Sequence, residues 1–161
     1  GRWQDGLGVG APELDVLGRC AQTLQHRLDA FGQSEERFGL VHADMRLANL
    51  MVNGDRVNVI DFDDCGLSWF LYDLATAVSF IEHEPYVPAL LDAWVQGYRT
   101  VAPLSAEDEA EIGTFVMLRR LLLVAWIGSH AMTETAQEMG PEFTTTTCDL
   151  AESYLATLRQ P

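Results

Sequence analysis

The chain has 161 residues, 48% apolar and 21% charged, which is enough for a real core and ordinary for one soluble globular domain spanning residues 1–161. Its formal net charge of −14 speaks against nucleic-acid binding, which depends on clustered basic side chains. Three widely spaced cysteines (Cys20, Cys65, Cys148), with no C-x-x-C, favour reduced thiols and a cytoplasmic location, and Cys65 reads as a small packing residue.

No signal-peptide pattern opens the sequence. Residues 6–10, Gly-Leu-Gly-Val-Gly, follow no strand pattern and do not fit G-x-G-x-x-G, so they read as a flexible lead-in and not as a phosphate cradle. Leu14, Leu17, Leu24, Leu28 and Phe31 then recur at helical spacing, with Gly32 placed to stop the helix. Residues 38–42 form a short strand leading into a loop. Leu50-Met51-Val52 and Val57-Asn58-Val59-Ile60 read as a hairpin around Asn53-Gly54-Asp55, its second strand buried. From residue 69 the pattern is helical almost throughout. Helices are predicted over 69–82, over 88–100 with Leu90, Leu91, Trp94, Val95 and Tyr98 inward, over 105–132, and over 143–158 with Pro141 at the entry. Ser105 followed by Asp108 resembles a capping box. The apolar run at 121–128 is too short to span a membrane and reads as a buried helix. No repeats occur, and the four threonines at 144–147 carry no meaning alone.

Residues 41–64, VHADMRLANLMVNGDRVNVIDFDD, carry the chemistry. Phosphoryl transfer from a nucleotide is mostly positioning and charge neutralisation. Magnesium takes oxygen ligands from one or two side chains plus phosphates. Asn49 and Asp61 can supply those side chains, with Asp63 as a further candidate ligand, and Asp44 can take the proton of an attacking hydroxyl. The hairpin folds Asp61 back toward the loop that carries Asp44 and Asn49. Arg46 has two readings, contact with phosphate or substrate and a surface salt bridge.

At these residues the chain resembles a known family. HADMRLAN looks like the H-x-D-x-x-x-x-N catalytic loop of the aminoglycoside phosphotransferase and choline kinase families, distant relatives of the protein kinases, and VIDFDD looks like their metal-binding segment. The resemblance covers about residues 38–81. It implies a catalytic base at Asp44, magnesium ligands at Asn49 and Asp61, a loop brace at His42 and a helix-start Asp at Asp73. Two departures stand out. Ala43 replaces a frequent Gly, a small change, and Arg46-Leu47-Ala48 replaces the common His-Pro-Gly. The implied fold is mostly α with a small β-hairpin: the C-terminal catalytic lobe of a protein-kinase-like fold, with a catalytic loop at 41–50, a metal-binding segment at 59–64 and a helical remainder at 69–159.

Kinases also need a Gly-rich loop and a strand lysine in an N-terminal β lobe. All ten Lys/Arg positions here are Arg, so that lobe is absent and becomes an expected partner, on this or a longer chain. The expected function is a magnesium-dependent transfer of phosphoryl from ATP or another nucleoside triphosphate to a small-molecule hydroxyl, inactive without the missing lobe, with no nucleic acid or membrane as partner. A non-catalytic ligand- or partner-binding lobe is the alternative. A lower alternative is a haloacid dehalogenase-type phosphatase with Asp61 as nucleophile and Asp63 as acid, although that fold alternates strands with helices and needs a later Lys.

Overall fold

Residues 2–159 are described in the computed structural model. In chain order they form α1 (Ala11–Phe31), β1 (Phe38–Val41), β2 (Leu50–Asn53), β3 (Arg56–Val59), β4 (Gly66–Trp69), α2 (Phe70–Ala77), α3 (Val87–Tyr98), α4 (Ala106–Ala110), α5 (Ile112–Ser129) and α6 (Glu134–Thr157). The architecture is mostly helical with two small antiparallel sheets, as expected for a kinase-like catalytic lobe. Two compact units divide the chain. One runs up to Phe31 and resumes at Met117; the other is Gly32–Val116.

In the first unit, α1 buries Leu17, Cys20 and Leu24 on the stripe that the leucine spacing predicts. They pack with Met117 and Leu121 of α5 and Ala151 and Leu155 of α6. Each fully buried Leu contributes about 2 kcal/mol from removal of apolar surface. Gly32 takes φ +74°, a left-handed stop that glycine adopts cheaply. By length and composition α5 could cross a membrane, yet Leu121, Leu123, Val124, Ala125 and Ile127 are buried in the protein core.

The Gly-rich lead-in is not loose. A Cβ on Gly6 would lie 2.5 Å from Val124 Cγ1, and one on Gly8 (φ +77°) would lie 2.7 Å from Pro141 Cβ. These glycines are there for close packing, a role composition does not reveal. The threonine run also acquires a function. Thr144 Oγ1 donates to Leu7 O at 2.5 Å, while Thr146 and Thr147 accept from the buried Arg120. The last helix begins nine residues earlier than predicted, at Glu134 after a Thr133 cap, and kinks at Gly140 (φ +50°, ψ −156°) just before Pro141. Only glycine occupies that backbone region readily, and proline cannot continue the preceding hydrogen-bond ladder.

The second unit holds both sheets. β1 pairs antiparallel with β4, Phe38 opposite Trp69 and Leu40 opposite Leu67. Their aromatic rings meet edge to face at 5.5 Å, and the Trp69 indole donates to Gly32 O. β4 was not foreseen. A four-residue strand running straight into a helix has no periodicity of its own, and α2 consequently starts at Phe70 and stops at Ala77. The helix predicted over 105–132 is interrupted at Glu111, although its Ser105 cap does accept the Asp108 amide at 3.0 Å.

The β2–β3 hairpin forms as expected, Leu50 opposite Val59, but Asn53 belongs to β2 opposite Arg56, which leaves Gly54 (φ +59°) and Asp55 as the two loop residues. Its burial differs from expectation. Val52 is 72% exposed and Val57 60%, so Asp61 does not end a buried strand. β-Branched residues mark a strand but do not say which face is covered. Cys65 is likewise exposed and packs nothing away.

Candidate active site

Helix α2 builds the loop that follows β1. Asp73 and Thr76 lie one turn apart on one helix face. The Asp73 carboxylate accepts the His42 amide at 2.9 Å and the Ala43 amide at 2.7 Å. Thr76 Oγ1 donates to Asp73 O at 2.9 Å and accepts the Met45 amide at 2.8 Å. The Asp44 amide donates to His42 Nδ1 at 3.2 Å. Four successive amides are therefore committed to defined acceptors, which fixes the backbone on both sides of Asp44. Sequence reasoning missed Thr76. Its signal was its position three residues after Asp73 on the same helix.

With Nδ1 accepting, the hydrogen-bond network assigns the proton of His42 to Nε2, which donates to Ile60 O at 3.0 Å. His42 thus ties the loop to the residue preceding Asp61, and its ring lies 4.7 Å from that of Phe62. Ala43 between them has φ +65°. The substitution of Gly by Ala is therefore not small: a Cβ in the left-handed region costs about 1–2 kcal/mol.

Asp44 and Asn49 are both buried. Asn49 Nδ2 donates to Asp44 O at 2.9 Å and to Asp44 Oδ2 at 3.0 Å. Its backbone amide donates to Arg46 O at 2.8 Å, and its backbone carbonyl accepts the Ile60 amide at 3.1 Å, so neither bond uses the side-chain oxygen. Asn49 is thereby fixed between the loop and the end of β3. Arg46 Nε lies 3.1 Å from Asp44 Oδ1 and 2.9 Å from Oδ2.

Asp61 sits at φ +65°, a left-handed turn that Asp tolerates better than most residues, and its side chain is exposed. Asp63 and Asp64 are exposed on the turn closed by the Cys65 amide on Phe62 O. His42, Asp44, Arg46, Asn49 and Asp73 therefore share one hydrogen-bond network. Asp61 joins it through the Ile60 peptide, and Asp63 lies outside it.

These residues fit a magnesium ion. Asn49 spends its NH₂ on Asp44, which leaves its carbonyl oxygen for a cation, and the Asp61 carboxylate makes no hydrogen bond or ion pair with any described residue. Both are hard oxygen donors. Among the described residues no group of three or more His, Cys, Asp or Glu could hold a metal by itself. A partial set of this kind is what a cation shared with phosphate oxygens requires. The phosphatase alternative fails on topology. β3 pairs antiparallel with β2 in a two-stranded ribbon, so Asp61 does not end a strand of a parallel sheet flanked by helices.

Comparison with known proteins agrees with this fold. A microcompartment-associated aminopropanol kinase of known structure superposes with a TM-score of 0.91 at 47% identity, over 98% of this chain and 50% of that one. An amicoumacin kinase solved with AMP-PNP and Ca²⁺ superposes at 0.65 and 23% identity, over 87% of this chain and 46% of that one, a likeness of fold. In sequence, amicoumacin kinase from Bacillus subtilis is 32% identical over 112 residues, covering 64% of this chain and 33% of the relative. Homoserine kinase from Neisseria meningitidis is 38% identical over 80 residues, covering 47% and 26%. The chain spans about half the length of these solved structures and no more than a third of these sequence relatives. A sequence model described as the Phosphotransferase enzyme family matches residues 2–110, well over half of the chain, and the chain belongs to that family.

Proposed function

We propose that this chain is the catalytic lobe of a magnesium-dependent kinase that phosphorylates the hydroxyl of a small molecule, with ATP or another nucleoside triphosphate as donor. The likeness to an aminopropanol kinase makes a short amino alcohol the first acceptor to try. One observation carries the proposal: a buried Asp44 whose flanking amides are all committed, beside an Asn49 turned so that its carbonyl is available. In the reaction the acceptor oxygen forms a bond to the γ-phosphorus while the bond from that phosphorus to the β–γ bridging oxygen breaks. The bridging oxygen keeps the electron pair as the diphosphate leaves, and the hydroxyl proton passes to the Asp44 carboxylate. Asn49 and Asp61 would hold magnesium, with Asp63 as a further ligand; when bound, the ion neutralises phosphate charge and fixes its position. His42 and Asp73 hold the loop.

The nucleotide grip comes from an N-terminal lobe on the same or a longer chain, in a reducing cytoplasm, and these residues alone do not turn over. The lack of lysine supports this, as do the apolar side chains Leu40 (73% exposed), Val52, Val57 and Leu67 (74%) on the two strand ribbons. The test is phosphoryl transfer by the full gene product as magnesium is titrated. Asp61→Ala and Asn49→Ala should raise the magnesium concentration for half-maximal rate at least about tenfold, each removing one of few protein ligands. A magnesium dependence identical to wild type in both variants would contradict the assignment.

A further inference from the structure

Arg46 meets Asp44 in an unusual way. A guanidinium that serves to neutralise a carboxylate offers two parallel N–H bonds, one to each oxygen. Here Nε alone spans both oxygens of Asp44, at 3.1 and 2.9 Å, and the terminal nitrogens hydrogen-bond to no described residue. The side chain is 37% exposed against 10% for that of Asp44, so the forked end of Arg46 points out of the buried pair. Arg46 is also the sole Lys or Arg in the loop 41–50.

We propose that Arg46 is a catalytic residue whose terminal N–H groups bind oxygens of the transferring phosphoryl group while its Nε keeps Asp44 oriented. The proposal rests on the phosphotransferase function above. Its basis is reach. A hydroxyl that gives its proton to Asp44 lies about 3 Å from the carboxylate, and the phosphorus it attacks lies about 3–3.5 Å farther on. A guanidinium anchored 2.9 Å from the same carboxylate places its outer donors within range of the equatorial phosphoryl oxygens. Arginine matches such oxygens with planar, paired donors that a lysine lacks. The charge also decides between substrates: a cationic amino group on the acceptor is repelled from this position, whereas a phosphoryl group that gathers negative charge is attracted.

The test compares wild type, Arg46→Met and Arg46→Lys in the full gene product, by steady-state kinetics and by calorimetry of ADP with and without aluminium fluoride, a mimic of the moving phosphoryl group. The expected result is a loss of kcat of about 100-fold in R46M, the usual effect of removing one donor to developing charge. The KM for acceptor should move less than about threefold, and the extra affinity that aluminium fluoride confers on ADP should fall at least about tenfold, with R46K intermediate. An R46M enzyme that loses kcat but keeps the full aluminium fluoride effect would show that Arg46 merely orients Asp44 and overturn the proposal. A rise in acceptor KM at unchanged kcat would overturn it in favour of an anionic group on the acceptor. If wild type transfers phosphate and R46M does so equally well, this inference alone fails. If wild type transfers to no acceptor, the function beneath it fails.

Discussion

The Asp73 carboxylate accepts the Ala43 amide at 2.7 Å, and this bond joins the first turn of α2 to a loop residue thirty positions earlier whose φ is +65°. Strain at a site persists where surrounding bonds over-determine it, and here the same carboxylate also accepts the His42 amide. Asp73→Asn replaces one accepting oxygen with a donor facing an N–H. We expect a loss of about 1 kcal/mol in thermal unfolding, the cost of an unmade, half-buried hydrogen bond. The full gene product should also lose at least about tenfold in kcat as Asp44 shifts, because small misplacements are expensive in catalysis. Wild-type kcat in D73N would separate the latch from the chemistry.

Ala43 itself offers a cleaner test of strain. Glycine enters the left-handed region without penalty but loses more chain entropy on folding, about 0.5–1 kcal/mol. Ala43→Gly is therefore expected to raise stability by up to about 1 kcal/mol, and Ala43→Val to lower it by about 2 kcal/mol, because branching at Cβ tightens the clash. Melting curves of the two variants against wild type decide it. A destabilised A43G would show that Ala43 is not strained.

Much of this arrangement was legible in the residues. The H-x-D-x-x-x-x-N spacing and the hairpin correctly brought Asp44, Asn49 and the end of β3 together, because a two-residue turn leaves little freedom in register. What stayed hidden depends on partners distant in sequence. β4 exists because β1 pairs with it, Thr76 matters because Met45 reaches it, and Gly6 is required because Val124 lies 2.5 Å from where its Cβ would be. The exposure of β3 was misjudged for a related reason, since apolar alternation shows a face that wants cover but not what supplies it.

Cys20 gives the first unit a pH signature. It is fully enclosed in the α1–α5–α6 core, and burial pushes its thiol from 9.0 up to about 11. The sign follows from proton counting. Below pH 9 both folded and unfolded chains hold the proton; between 9 and 11 the unfolded chain releases it first, so stability falls as pH rises through that window. No lysine titrates there to obscure the effect. Melting temperature should decline from pH 9 to 11, and Cys20→Ala should make the decline shallower. An unchanged slope in C20A would show that the thiol does not carry it.

Arg120 is 1% exposed, yet it is well supplied. Its Nε donates to Thr147 Oγ1 at 2.8 Å, its terminal nitrogen to Thr146 Oγ1 at 2.8 Å, and its guanidinium lies 3.6 Å from the centre of the Phe143 ring. Together these bonds hold the segment after the Gly140 kink against α5. Arg120→Met keeps the volume and loses the bonds. It is expected to cost at least about 2 kcal/mol in chemical denaturation, the effect of breaking a buried network. A change below about 0.5 kcal/mol would mean that the threonine run contributes little.

The role of Asp44 is tested most directly by single-turnover transfer of the γ-phosphoryl group from ATP to acceptor, wild type against Asp44→Asn, in the full gene product. Asparagine keeps the shape that Arg46 and Asn49 surround and removes the capacity to take a proton. Transfer should slow by about 1,000-fold, within the range that general-base catalysis supplies. Nucleotide affinity should stay close to wild type, and the melting temperature should fall about as far as in D73N, because one oxygen that accepts from Arg46 and Asn49 becomes an amide. Transfer by D44N at a rate within tenfold of wild type would contradict the account.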